Sequence, residues 1–479
     1  TFGPADRRHN FFKLSAAWEF SKLYAPSFLN FGKLRLAYGQ AGEEPNVYAI
    51  YSGYTSPSLF SVGGKASLGL NYRGVTGYRS DDQVSNFRIR PERRHEYEIG
   101  GDLSLFDGSM GVSTTIYNAI NKDVIYDIDV IPSTGADEMT ANGASIQNKG
   151  LELTIDYRVL DRERLKWESK FIYASNKNTV LEMNGVDGEM AKLMDPNLVP
   201  SRGIAKFSEV SPGHEYAEFK VLSWSRFGHG LVIDHDLDIN TPDVNIDTLS
   251  GYSWNKNDVY VAKNGLPLMY SEKIWSGYAP NPAWTGSFYN ELKIGNKLQL
   301  SCLLDISMGG HIANYTKNAL YEWGTHGETE NRYHPDFDNE DWYGYEEGVS
   351  TDWGKGKFQD LLNHGHRAIG PGQDSVITFS QNLYENYMGR NTDVINNIED
   401  ASYIKLRELA LSYNFGAVSL GHLGDPNVTI RLSAQDLKTW TNYTGWDPET
   451  NMYQDRISGE DYFNQPQTWR ANMAVQFNW

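Results

Sequence analysis

Four things are scarce in this sequence, and each scarcity closes off a class of protein. Cysteine occurs once, at Cys302, so no internal disulfide can staple the fold. Set among Leu300, Leu303 and Leu304, that thiol reads as a small apolar filler. No run approaches the roughly 18 apolar residues that a membrane helix needs. That excludes helical spans only, because the wall of a β-barrel is apolar at every second residue. Positive charge is also short: 43 Lys and Arg face 61 Asp and Glu, a net charge of -18, which argues against nucleic acid, since a binder needs a basic face to displace counterions from phosphates. Finally, no Pro-rich, Gly/Ser-rich or charge-block linker divides the 479 residues. One large all-β unit fits that texture better than a string of domains.

Catalytic signatures are missing as well. There is no G-x-S-x-G elbow, no P-loop and no H-E-x-x-H, and nothing asks for an enzyme. Glu152 and Asp156 could suggest a glycosidase pair, but alternation puts them on the polar face of a strand, where carboxylates are ordinary. The opening residues Thr1 to Phe12 lack the charged start and apolar stretch of a signal peptide, which for an exported protein implies a processed or partial chain.

What is present is alternation. In Thr468 to Trp479, Trp469, Ala471, Met473, Val475, Phe477 and Trp479 fall on one face and Arg470, Asn472, Ala474, Gln476 and Asn478 on the other. A period of two means a β-strand. Trp at both ends of an apolar band suits a membrane interface, since an indole is apolar in body and polar at its N–H. Trp18, Trp469, Phe477 and Trp479 are the candidate interface aromatics. Similar alternation marks strands near residues 10–20, 33–38, 96–105, 110–116, 151–157, 167–173, 284–292, 298–306, 409–415 and 428–434; Thr439 to Tyr443 either prolongs the last of these or begins another.

The connections alternate in length. Short turns fall near 21–31, 106–109, 158–164, 294–296 and 416–425, and long excursions near 41–94, 123–145, 177–280, 309–402 and 441–467. Antiparallel strands deliver their ends alternately to two sides, so every short turn lands on one rim and every long loop on the other. A barrel with short periplasmic turns and long extracellular loops has this asymmetry, and a soluble sandwich gives no reason for it. The sandwich reading, an extracellular glycan-binding or scaffold protein, requires apolar strand faces buried sheet against sheet.

Several loop residues are candidates for binding. Trp323, Trp342, Tyr343, Tyr345 and Trp353 crowd one long excursion, with Trp275, Tyr278 and Trp446 in others. Such aromatics offer platforms for sugar rings or a protein partner, or else pack the loops together. Asp336, Asp338, Glu340 and Asp341 supply the oxygen ligands Ca²⁺ selects, although a solvated acidic loop would look the same. His364 and His366 form an H-x-H pair that suits zinc or copper if a third ligand exists.

Six stretches resemble SusC/RagA-like TonB-dependent transporters of the Bacteroidetes outer membrane. They are Phe2 to Lys22, Asn30 to Gly42 (NFGKLRLAYGQAG), Ile146 to Val159 (IQNKGLELTIDYRV), Ala279 to Gly310, Ile398 to Gly416 (IEDASYIKLRELALSYNFG) and Ser433 to Asn451 (SAQDLKTWTNYTGWDPETN). Their order and spacing extend over nearly the whole chain. The resemblance implies an all-β fold, a transmembrane antiparallel up-and-down barrel of about 22 strands enclosing a plug. Residues 1–479 would be the C-terminal portion of that barrel, about twelve strands, with the plug outside this chain. It further implies an outer-membrane importer of oligosaccharides or peptides, a SusD-like lipoprotein partner, energy from TonB acting on the plug, and no cofactor beyond the possible structural Ca²⁺. A siderophore-type receptor without the lipoprotein is the variant within the class. Because lipid cannot satisfy an open sheet edge, the first and last strands would each need a partner.

Overall fold

A computed structural model of the chain describes residues 8–45, 82–136, 138–183, 208–223, 273–323, 397–450 and 459–479, with short stretches within 53–80 and at 202–203, 259–260, 325–326, 368–369 and 452. Its main body is a single sheet in which eleven long antiparallel strands follow one another in chain order. These are β1 (Lys13–Trp18), β2 (Leu29–Glu43), β3 (Glu92–Leu105), β4 (Met110–Asp129), β5 (Glu138–Arg162) and β6 (Leu165–Met183), then β7 (Trp284–Ile294), β8 (Leu298–Met308), β9 (Tyr403–Ala417), β10 (Asn427–Thr441) and β11 (Arg470–Asn478). A twelfth member, Gln83–Val84, lies parallel to the start of β5. β10 runs unbroken to Thr441, so the segment after Ala434 prolongs that strand.

The tight turns form where the backbone can reverse cheaply. Between β3 and β4, Phe106, Asp107 and Gly108 all take positive φ, and the Asn30 carboxamide oxygen accepts the Gly108 N–H at 3.2 Å. Glu163 and Arg164 alone separate β5 from β6, and Gly295, at φ 58°, opens the turn from β7 to β8. These turns share one rim. The stretches 44–91, 184–283, 309–402 and 442–469 leave from the other.

One sequence-based loop is corrected. Residues 123–145 are mostly strand: β4 continues to Asp129, β5 begins at Glu138, and only 130–137 connect them. Alternation fails there because both faces are covered. Met139, Thr140 and Ala141 are buried in succession, with Ile128 and Val130 completing a small core. Asn142 locks the extension: its side chain donates to the carbonyls of Arg90, at 2.7 Å, and Asp123, at 2.8 Å.

Below that extension the register sorts residues cleanly. Trp167, Leu292, Leu300, Leu411, Leu432 and Met473 face one another across six strands, and one residue along, Glu168, Glu291, Ser301, Ala410, Ser433 and Asn472 form the row on the opposite face. The apolar face is bare. Leu432 is 48% exposed, Met473 65% and Ile116 55%, and among the described residues no second sheet covers them. The sandwich reading required that cover. β1 pairs only with β2 and β11 only with β10, so the sheet ends on two unpaired edges among the described residues.

Candidate functional site

The polar face of β2 to β6 contains a recess of about 500 Å³ lined by Arg35, Arg94, Glu96, Glu98, Tyr117, Glu152 and neighbouring amides. Alternation directs these side chains to one side, and glycine hollows the wall between them. Gly39, Gly100 and Gly150 share their face. Tyr117 lies across Gly150 and donates to the Asn176 carboxamide oxygen at 3.1 Å; a Cβ on Gly150 would strike both the Tyr117 hydroxyl and the Ser175 carbonyl oxygen. Arg35 is held by Asp102 at 3.0 Å, and Arg94 by Glu96 at 2.8 Å. Glu98 and Glu152 have no ion-pair partner among the described residues, so the recess carries spare acceptors. It can take hydrogen bonds from hydroxyl, amide or ammonium groups.

A second inward feature joins β9 and β10 to the loop 442–450. Lys405 is only 1% exposed and donates to both Asp447 oxygens at 3.3 Å and to Glu449. Arg407, two residues on and in a β-bulge, pairs with Asp305 at 2.6 Å, Asp436 at 2.8 Å and Glu449. Tyr403 donates to Glu449 at 2.6 Å. Burial by itself would raise the Glu449 carboxyl; the hydrogen bonds from Arg407, Lys405 and Tyr403 outweigh it and hold the group at about 2.

Above this network the loops are tied to one another. Tyr443 is buried and donates to Asp461 at 2.6 Å, Thr316 donates to the same carboxylate at 3.2 Å, and Glu399 accepts from the Thr444 N–H at 2.8 Å. Burial, reinforced by Asp461, pushes the Tyr443 phenol up. Thr316 belongs to the short helix α1 (Tyr315–Glu322), which follows strand His311–Asn314. His311 lies against Tyr278 with ring centroids 4.4 Å apart, and Trp275 stacks on His214 at 3.8 Å, so both aromatics touch other loop segments.

Of the other candidate binding aromatics, Trp323 stacks on Phe463 at 5.3 Å beyond α1, and Trp446 is 75% exposed in the loop that carries Asp447. Trp342, Tyr343, Tyr345, Trp353, the acidic group Asp336, Asp338, Glu340 and Asp341, and the pair His364 and His366 lie outside the described residues. Among the described residues no cluster of His, Cys, Asp and Glu could hold a metal. Glu152 and Asp156 face the polar side as the alternation implies, Asp156 pairing with Lys170 at 3.3 Å. The Lys405 network escaped sequence reading. Its signal was present as two cations at i and i+2 on a strand, matched by Asp447 and Glu449 at the same spacing.

A sheet with one bare apolar face, one charged face, its tightest turns on one rim and its long excursions on the other is the wall of a membrane-spanning β-barrel. The family model described as TonB dependent receptor-like, beta-barrel matches residues 1–290, more than half of the chain, and the chain belongs to that family, whose members reside in the outer membrane. Among curated relatives it is 23% identical to TonB-dependent receptor P3 of Formosa agariphila, over 98% of this chain and 42% of that protein. TonB-dependent receptor P39 of the same organism is 23% identical over 92% of this chain and 40% of its own length. The chain thus spans about two fifths of the curated relatives it matches. Among solved structures, the RagAB peptide transporter superposes with TM-score 0.63 at 14% identity, covering 99% of this chain and 44% of that one. The same importer in its closed-closed state gives 0.65, again at 14% identity and with the same coverage, a likeness of fold.

Proposed function

We propose that this chain forms the C-terminal portion of the barrel of an outer-membrane importer for oligosaccharides or peptides. In the assembled transporter a plug and the remaining strands come from protein outside residues 1–479, a SusD-like lipoprotein covers the long-loop rim, and TonB supplies energy through the plug. The observation that carries this reading is the division of one sheet into a bare apolar face and a polar face with acceptors on Glu98 and Glu152, ending on two edges unpaired among the described residues. Lipid explains the first face and cargo or plug the second, and further strands must close the edges.

The loop ties support the partner. A cap needs a rim of fixed shape, and the Lys405 and Tyr443 clusters hold 442–450 and 459–463 against the wall. The name of the RagAB importer supports peptides for that protein; here the acidic recess admits peptide amines and sugar hydroxyls alike. Affinity purification of the whole transporter from outer membranes tests the reading. A co-purifying surface lipoprotein, with uptake of labelled oligosaccharides or peptides abolished on its deletion, is the expected result. Uptake of iron chelates without any lipoprotein would replace this reading with the siderophore variant.

A further inference from the structure

Across the lipid-facing side, the register places Leu14, Tyr38, Tyr97, Asn118, Lys149 and Lys177 in one row from β1 to β6. The row immediately below is apolar: Ala16, Leu36, Ile99, Ile116 and Leu151, closed by Ser175. Lys149 and Lys177 therefore oppose each other directly on adjacent antiparallel strands. Their Cα atoms sit about 4.5–5.5 Å apart, as any such pair does. Like charges so placed repel, and an anion bridging them would relieve that repulsion.

Height on the wall identifies where that anion must come from. Lys177 lies ten residues above Trp167 on β6. With a rise of about 3.3 Å per residue and a tilt of about 40°, that is about 25 Å, the height of the apolar band on such barrels. The Trp469 to Trp479 span on β11 is also ten residues. The lysine pair shares its row with Tyr38 and Tyr97, toward the rim from which the long loops leave. Among the described residues neither lysine has a carboxylate within ion-pair distance. Glu215, in the turn above, is raised mainly by burial, and Lys177 draws it only partly back. Beside the pair, Asn118 accepts from Gln147 at 2.9 Å, and its own amide N–H groups make no bond among the described residues.

We propose that Lys149, Lys177 and the Asn118 amide form a binding site for a phosphate group on the glycolipid of the outer leaflet, fixing one lipid against β4 to β6. Two ammonium groups and an amide donor offer charge-assisted hydrogen bonds to phosphate oxygens, and the apolar row below receives the acyl chains. This rests on the barrel assignment and not on the cargo.

The test uses the whole transporter, purified in detergent and stripped of lipid, with lipid A as the probe and native mass spectrometry as the readout. Lipid A is expected to bind, its dephosphorylated form to bind at least tenfold more weakly, and the K149Q/K177Q double variant to lose about ten- to thirtyfold in affinity. K149R/K177R should stay within about threefold of the parent, because the charge is kept. Equal binding of the dephosphorylated lipid, or undiminished binding by K149Q/K177Q, would overturn the site. Inorganic phosphate competing at concentrations similar to lipid A would overturn the lipid assignment. Failure of the barrel reading would look different: the unaltered protein would then stay monodisperse without detergent.

Discussion

The lower wall and the upper rim are built from the same kind of strand, yet only the first announces itself. In β7 to β11 the strands are apolar at nearly every second residue, Asn290 on β7 being an exception that accepts the Trp167 indole N–H at 3.1 Å, because one face meets lipid and the other a polar interior. At the top of β4 and β5, protein covers both faces, so Met139, Thr140 and Ala141 are buried in sequence and the period disappears. The lower wall is specified by its solvent, and the rim by its neighbours.

Removing one partner from the rim's charge network should have the largest effect. Lys405→Met leaves buried Asp447 without its cation and Glu449 with Arg407 alone, and should cost about 3–5 kcal/mol of local stability. Hydrogen exchange should rise across 442–450 while β7 and β8 stay protected. Acid should do the same thing more gently. Glu449 has a folded pKa of about 2 against an ordinary 4.5, so its contribution is fully present above the unfolded value and is lost as pH falls through the folded one. Loop protection should be flat above pH 5 and should decline between about pH 4.5 and 2, losing about 3 kcal/mol.

The lower wall responds to polarity. Leu432 sits five residues into a crossing of about 9–11, so Leu432→Arg should destabilise the barrel by about 2–4 kcal/mol in urea titrations. Asn472→Arg, on the inward face of the adjoining strand, should cost less than about 1 kcal/mol. A smaller effect belongs to the recess. Gly150→Ala must displace Tyr117 and crowd the Ser175 carbonyl, costing about 1–3 kcal/mol by thermal unfolding and reducing cargo uptake. Least of all, Lys166→Ala breaks an exposed pair with Asp161 and should move stability by no more than about 0.5 kcal/mol.

Much of the architecture was legible in the residues. Alternation located every long strand, Asp107-Gly108 and Gly295 marked two reversals, and connection lengths assigned the two rims everywhere but at 130–137, a short connection on the long-loop rim. Strand ends were not legible where burial is two-sided, which is why 123–145 read as a loop. The inward network was hidden for a related reason: Lys405 and Arg407 look like an ordinary polar face until Asp447 and Glu449 return from a loop some forty residues on. The aromatics divide similarly. Trp275 and Tyr278 contact His214 and His311, which come from segments that no local pattern links to them.

A barrel wall requires that lipid touch the bare face. Thiol scanning along β10 and β11 of the whole transporter in native outer membranes, with Cys302→Ser as background, measures this directly. Cysteines at Leu432, Met473, Val475 and Phe477 should resist charged thiol reagents and react with membrane-soluble ones, while Ser433, Asn472, Ala474 and Gln476 should not label from the lipid phase. Outward positions shielded from both reagents, or a pattern without the two-residue period, would contradict it.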